Sequence, residues 1–264
     1  MNTQNTDQIK ASVRKHYAGL VTDGGSCCSP SSDCNTGINI DATLKGEFAT
    51  KSGYTDEQIS SIPTDAVEHS FGCGNPLAYA DIREGDVVLD LGSGAGIDVL
   101  LVSQHVGESG KAIGIDMTPE MIEKARKNAL EAGAKNVEFR LGEIEAMPVA
   151  DESVDWIISN CVINLSPDKD QVFREAYRVL KPGGKLLVSD IVASHLPKRL
   201  RATISAWVSC ISGALPEDQY LDSIRRAGFE GVRVLSKSDY ATVAKAKVAS
   251  IKVEAMKPIT QPPN

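Results

Sequence analysis

The segment VVLDLGSGAGID, residues 87–98, constrains this chain more than any other. An apolar run broken only by Asp90 leads straight into glycines at 92, 94 and 96. A strand without polar alternation is one covered on both faces, as in a parallel sheet sandwiched by helices. The glycines let the backbone turn tightly and approach a ligand at the N-terminus of the next helix.

The segments around it repeat the same alternation. Strands are expected at 87–91, 112–116, 136–142, 154–160 and 185–192, and helices at 96–106 and 119–133. Pro119 opens the second of these, and Asp168 caps a further helix that runs to about Leu180 and stops at Lys181-Pro182-Gly183-Gly184. Residues 198–212 and 216–227 read as helices, the latter closed by Gly228, and the final two strands (VRVLSK and VAKAKVASIKVEA) fit an antiparallel pair. The expected fold is α/β, an open, doubly wound, Rossmann-like sheet of about seven strands with helices on both faces. Upstream, residues 5–20 form an amphipathic helix through Ile9, Val13, Tyr17 and Leu20, and residues 22–39 an aperiodic Gly/Ser/Asp-rich loop. Thr55 caps a short helix at about 55–61, which Pro63 ends. This divides the chain into an N-terminal helical and Cys-containing segment, 1–70, and a larger domain, 71–264, with an insertion at about 193–228.

Composition narrows the function. The 264 residues carry 28 basic and 35 acidic side chains, a net charge of −7 that argues against a phosphate backbone as partner. No run of apolar residues reaches the eighteen needed for a membrane span, and the N-terminus lacks an apolar secretory core, so a cytoplasmic location is expected. The cysteines, at 27, 28, 34, 73, 161 and 210, form no CxxC pair, and the histidines stand alone, which excludes the familiar zinc spacings.

The glycine turn favours S-adenosylmethionine over a dinucleotide. GSGAG lacks the GxGxxG spacing, and Asp90 precedes it on the strand, where it would repel a pyrophosphate but attract the ammonium of a methionine moiety. Asp116, about 20 residues beyond the glycines, is placed for both ribose hydroxyls, with Met117 beside it. In GEIE (142–145), the Ile144 backbone and an acid at Glu143 or Glu145 are placed to read the adenine edge, and Asn160 closes the site at the end of the fourth strand. The pattern over about 70–240 resembles class I S-adenosylmethionine-dependent methyltransferases.

Three cysteines fall where a methyl acceptor would lie: Cys73 in the segment entering the first strand, Cys161 just after the fourth, and Cys210 in the insertion. Three thiolates make a trigonal, soft-donor site that suits trivalent arsenic, which keeps a lone pair, whereas zinc would want a fourth ligand. Any one of these alone reads more simply as packing. His69 reads as a structural histidine with a possible part in thiolate formation, and Tyr79 either covers the cofactor or packs in the N-terminal segment.

The blocks SFGCGNP, LDLGSGAGID, GIDMTPEMIEKA, SNCVINLSPDK, PGGKLLVSD and SCISGAL together resemble the arsenite methyltransferases, in matching order across most of the chain. That resemblance implies arsenite or its thiol conjugates as substrate, S-adenosylmethionine as donor, and thioredoxin or glutathione as reductant. It implies that Cys161 and Cys210 hold arsenic most directly and that Cys73 also enters a disulfide step. It matches a further N-terminal cysteine to Cys27 or Cys28, without saying which, and leaves Cys34 without a counterpart. Cys27 and Cys28 are then candidates to pass arsenic inward or to form a disulfide with Cys73. The sequence ends soon after its last strand, so any C-terminal lobe of longer members is expected to be reduced or absent. Two competing readings are a methyltransferase of a small organic acceptor, such as a quinone or sterol-like ring, and a non-catalytic arsenic-binding protein.

Overall fold

The computed structural model describes residues 3–22, 47–197, 207, 210–243 and 245–259. Its centre is a seven-stranded sheet in the order β3-β2-β1-β4-β5-β7-β6. The strands are β1 (Val87–Leu91), β2 (Lys111–Asp116), β3 (Val137–Leu141), β4 (Val154–Asn160), β5 (Leu180–Ala193), β6 (Glu230–Val243) and β7 (Ala246–Met256). β1 pairs in parallel with both β2 and β4; β7 pairs antiparallel with β6, as the alternating pattern near the C-terminus predicts, and also with β5.

Two hydrophobic cores, one on each face, follow from the period of two along the strands. Leu89 and Leu91 of β1 and Ile157 of β4 pack with Val172 and Phe173 of α7 (Lys169–Val179) and with Tyr220 and Ile224 of α8 (Glu217–Arg226). Val88, Trp156 and Ile158 point the other way, onto α5 (Ile97–Val106) and α6 (Pro119–Glu131). Asp168 caps α7 by accepting from the Gln171 amide at 3.0 Å, and Thr55 and Gln58 form a reciprocal capping box on α3 (Asp56–Ser60).

Some boundaries differ from the sequence pattern. Lys181–Gly184 does not separate α7 from a later strand. Leu180 already pairs with Val154, and the strand bulges before pairing resumes at Lys185 with Trp156. Gly183, at φ 81°, allows that bulge. Pro63 ends α3 but also starts α4 (Thr64–Glu68). The N-terminal helix α1 spans Thr3–Thr22, and α2 spans Glu47–Lys51. The expected loop at 22–39, with Cys27, Cys28 and Cys34, lies outside the described residues except for Thr22, and so does most of the expected helix at 198–212. No described helix is long and apolar enough to cross a membrane.

Leu89 is fully buried in the central strand. Leu89→Ala should therefore cost about 2–5 kcal/mol by leaving a cavity that the sheet cannot close, read as a lowered urea midpoint.

Candidate active site

At the C-terminal ends of β1, β2 and β4 the chain leaves the sheet in opposite directions and opens a crevice. Its floor is the glycine turn. Gly92, Gly94 and Gly96 have φ of 68°, 51° and 96°, which side-chain-bearing residues rarely adopt. A Cβ at Gly92 would come within 2.4 Å of Val162, so the turn has no room for a side chain there. Gly92 and Gly94 line the crevice, whereas Gly96 caps α5 and presses against Phe139.

Acidic groups set the electrostatics. Asp116 accepts from the Gly94 amide at 3.0 Å and the Thr118 amide at 2.8 Å, one on each oxygen, with further support from the Thr118 side chain and the Met117 amide, and its carboxylate lines the crevice. Asp90 and Asp98 also line the crevice and are buried. Burial raises the Asp90 carboxyl well above the usual range, and the nearby charges of Asp98 and Asp116 raise it further. Burial lifts Asp98 to about 6 against the opposing hydrogen bonds of Tyr54 and Asn160. Such a pocket holds negative charge at high cost and is relieved by a cationic ligand. Ser93 Oγ, also on the lining, is buried without a protein partner.

Met117, Ile144 and Glu145 line the crevice as expected. Glu143 does not. It pairs instead with Lys10 at 2.8 Å and Arg14 at 3.3 Å on α1, because that helix lies across the crevice and offers cations at its rim. Of the two acids considered for the adenine edge, Glu145 is thus the one that faces the site, held by Ser166 Oγ at 2.6 Å and Lys10 at 3.3 Å. Lys10, Val13 and Tyr17 of α1 add a wall that sequence reasoning missed, although the amphipathic spacing of Val13 and Tyr17 was its signal. Phe71 and His69 also line it, and His69 Nδ1 lies 2.8 Å from the Asp65 carbonyl oxygen, the bonding of a structural histidine. Tyr79 is exposed and does not reach the crevice.

The cysteines meet at one end. Cys161 lines the crevice and is joined to Cys73 in a disulfide across 88 residues of sequence, with Cα atoms 5.7 Å apart. Cys210 is a buried free thiol whose Sγ donates to the Cys161 carbonyl oxygen at 2.9 Å. Residues 73, 161 and 210 are therefore neighbours, though two of them are bonded to each other rather than open as thiols. In this state Cys73 has no free sulfur for Cys27 or Cys28, which lie outside the described residues. Burial pushes the Cys210 thiol well above the usual range, with the Asp190 carboxylate adding to the rise and Lys169 opposing it. Cys161 and Cys210 both take left-handed backbone, φ 59° and 60°, which costs a side-chain-bearing residue about 1–2 kcal/mol.

Asp190 holds the turn that follows Cys161. It accepts from the Asn164 amide and side chain (3.1 and 2.8 Å), the Ile191 amide (2.8 Å) and the Tyr220 hydroxyl (3.0 Å). Gly213 packs so closely that a Cβ there would sit 1.8 Å from the Asn164 carbonyl oxygen, which brings the Cys210 turn against the Cys161 turn.

Residues 82–245 match the model of a methyltransferase domain family. A crystal structure of an arsenic (III) S-adenosylmethionine methyltransferase from Chlamydomonas reinhardtii superposes with a TM-score of 0.72 at 36% identity, covering 78% of this chain and 74% of that one. The chain belongs to the arsenite methyltransferase family. Within the family, the arsenite methyltransferase of Halobacterium salinarum is 42% identical over 241 residues, 88% of this chain and 60% of the relative. That of Mus musculus is 35% identical over 260 residues, 94% of this chain and 65% of the relative. The chain thus spans less than two thirds of the length of either curated relative.

Asp116→Ala should raise the Kd for S-adenosylhomocysteine by roughly 10- to 100-fold, since hydrogen bonds to a charged group are lost, as calorimetry will read. A pH dependence follows from Asp98, whose neighbours are Asp90, Tyr54 and Asn160. A bound ammonium favours its ionised form, so protonation below about 6 opposes binding. Affinity for S-adenosylmethionine should therefore fall as pH drops from 7.5 to 5.5, with protons released on binding near pH 6, and Asp98→Asn should flatten the profile.

Proposed function

We propose that this chain transfers the methyl group of S-adenosylmethionine to trivalent arsenic held by cysteine sulfur. The observation that carries the reading is the meeting of Cys73, Cys161 and Cys210, from three distant stretches of chain, at one end of a glycine-floored acidic crevice. Asp90 and Asp98 receive the cationic end of the donor, Asp116 its ribose, and Ile144 with Glu145 its adenine edge. When bound, S-adenosylmethionine supplies a methyl carbon on a sulfonium, open to the lone pair of an arsenic centre.

Arsenite exchanges hydroxyls for sulfur at Cys161 and Cys210. Each exchange forms an As–S bond, and the thiol proton leaves with the displaced hydroxide as water. This removes the need for a separate base at Cys210, whose proton is tightly held in the absence of arsenic. The arsenic lone pair forms the bond to the methyl carbon as S-adenosylhomocysteine leaves, which raises arsenic from the trivalent to the pentavalent state. Attack of the Cys73 sulfur on the arsenic-bound sulfur of Cys161 then forms the disulfide, breaks that As–S bond with its electron pair left on arsenic and releases the one Cys73 proton, so the bonded state of this pair is the spent form of the site. A thiol reductant of the thioredoxin or glutathione kind then reopens it, with Cys27 or Cys28 as the relay toward the surface. Such a cycle belongs in a reducing cytoplasm, with arsenic detoxification as its outcome.

The test is incubation of the protein with arsenite, S-adenosylmethionine and a thiol, followed by chromatographic speciation of arsenic. Methylated arsenicals are expected. Cys161→Ser and Cys210→Ser should each lower the rate by at least roughly 100-fold while leaving cofactor affinity within about twofold. Turnover of an organic acceptor by the Cys73/Cys161/Cys210→Ser triple variant would support the competing small-molecule reading. Arsenite binding with no consumption of S-adenosylmethionine would support the non-catalytic one.

A further inference from the structure

Asn160 stands between the crevice and the disulfide, and all of its bonding capacity is used. Its side-chain oxygen accepts from the Cys73 amide at 3.0 Å and the Gly74 amide at 3.2 Å. Its NH₂ group donates to the Gly74 carbonyl and, at 3.1 Å, to the hydroxyl of Tyr54. That occupies both lone pairs and both protons, and the same NH₂ group also reaches Asp98 closely enough to favour its ionised form. The Tyr54 hydroxyl, with one proton to give, donates it to Asp98 at 2.7 Å. The bonds therefore run in one sense, from the backbone of Cys73 and Gly74 through Asn160 and Tyr54 to a carboxylate that lines the crevice.

The far end of this chain of bonds has little freedom. A Cβ at Gly72 would lie 2.2 Å from Asn160 Nδ2, and one at Gly74 would lie 2.2 Å from Ser189 Oγ. The backbone on either side of Cys73 is thus pressed between β4 and β5 and must follow Asn160 if it moves. Tyr54 is fully enclosed among apolar groups of the N-terminal segment, so its hydroxyl has no water to exchange with.

We propose that Tyr54 is a positioning residue through which occupancy of the crevice by the cationic end of the methyl donor sets the placement of Cys73. Near pH 6, where Asp98 is partly protonated in the empty crevice, a cation beside it favours the ionised form, and a hydroxyl bonded to a carboxylate is held more strongly than one bonded to a neutral acid. The polarised hydroxyl in turn accepts better from Asn160. Cys73 is then held for bonding to Cys161 when donor is present and released when it is not. The linkage is reciprocal, so the state of Cys73 feeds back on donor affinity. This inference rests on the proposed function only in taking the donor as the occupant of the crevice.

The experiment follows alkylation rather than turnover. Fully reduced protein, freed of reductant, is treated near pH 6 with iodoacetamide with and without S-adenosylhomocysteine, at concentrations that calorimetry shows to be saturating at that pH, and modification of Cys73 is timed by peptide mass spectrometry. Cys73 is not among the residues lining the crevice, so a ligand there does not cover it directly. In the native protein the ligand should change the Cys73 rate by roughly fivefold or more. In Tyr54→Phe the change should shrink to less than about half, since only the direct approach of Asn160 to Asp98 is left. Asp98→Asn keeps an acceptor for the hydroxyl but not the charge, and should diminish the effect, giving a second reading where the first variant does not fold. An unchanged ligand effect in the variants, or no effect in a native protein that binds the ligand, overturns the inference. Failure of the native protein to bind S-adenosylhomocysteine overturns the proposed function itself, and this inference with it.

Discussion

The parallel pairing of β1 with both β2 and β4 is the constraint on which the rest of the molecule depends. A crossover from β1 through α5 covers one face of the sheet, and the helix beyond β4, α7, covers the other. Loops that depart in opposite directions cannot fill the space between them, so a crevice at this point is a result of topology before any side chain is chosen. The side chains then decide what it accepts. Glycine makes its floor close to ligand, carboxylates make it electronegative, and α1 lies across its mouth through ion pairs with Glu143 and Glu145.

The buried carboxylates divide into two kinds. Asp190 is saturated by donors from Asn164, Ile191 and Tyr220, and its work is to hold the turn that bears Cys161 against the turn that bears Cys210. Asp116 faces the crevice although backbone donors hold it, and Asp90 sits there where neighbouring negative charge raises its pKa further. The first kind is structural because the fold already satisfies it. The second is a site because only something from outside can.

What was legible in the sequence follows from the range of the forces involved. β1 at Val87–Leu91 and β4 at Val154–Asn160 agree residue for residue with their apolar runs, because a strand covered on both faces has little choice of composition. That Asp90, Asp116, Gly92 and Gly94 line one crevice was legible because their spacing is local to adjoining strand–turn–helix units, whereas the packing of Gly96 on Phe139 was not. The wall made by Lys10, Val13 and Tyr17 was not, since a helix periodicity shows which face is apolar but not what it lies against. Nor was the preference for Glu145 over Glu143, which turns on where Lys10 and Arg14 arrive from more than a hundred residues away. Convergence of Cys73, Cys161 and Cys210 was foreseeable from topology. The bond between the first two depends on distances that no spacing in the sequence encodes.

Left-handed backbone at Cys161 and Cys210 carries a consequence for how such a chain can drift over generations. At both places glycine would relieve the backbone, though at 161 it would also remove the disulfide and at 210 a buried sulfur. In the reduced state, where no disulfide offsets the strained turn at 161, persistence of that thiol needs selection for something other than the fold, which on the proposed function is arsenic binding. A homologue that had lost its substrate would be expected to shed that side chain early, while the glycine floor and the sheet beneath it endured.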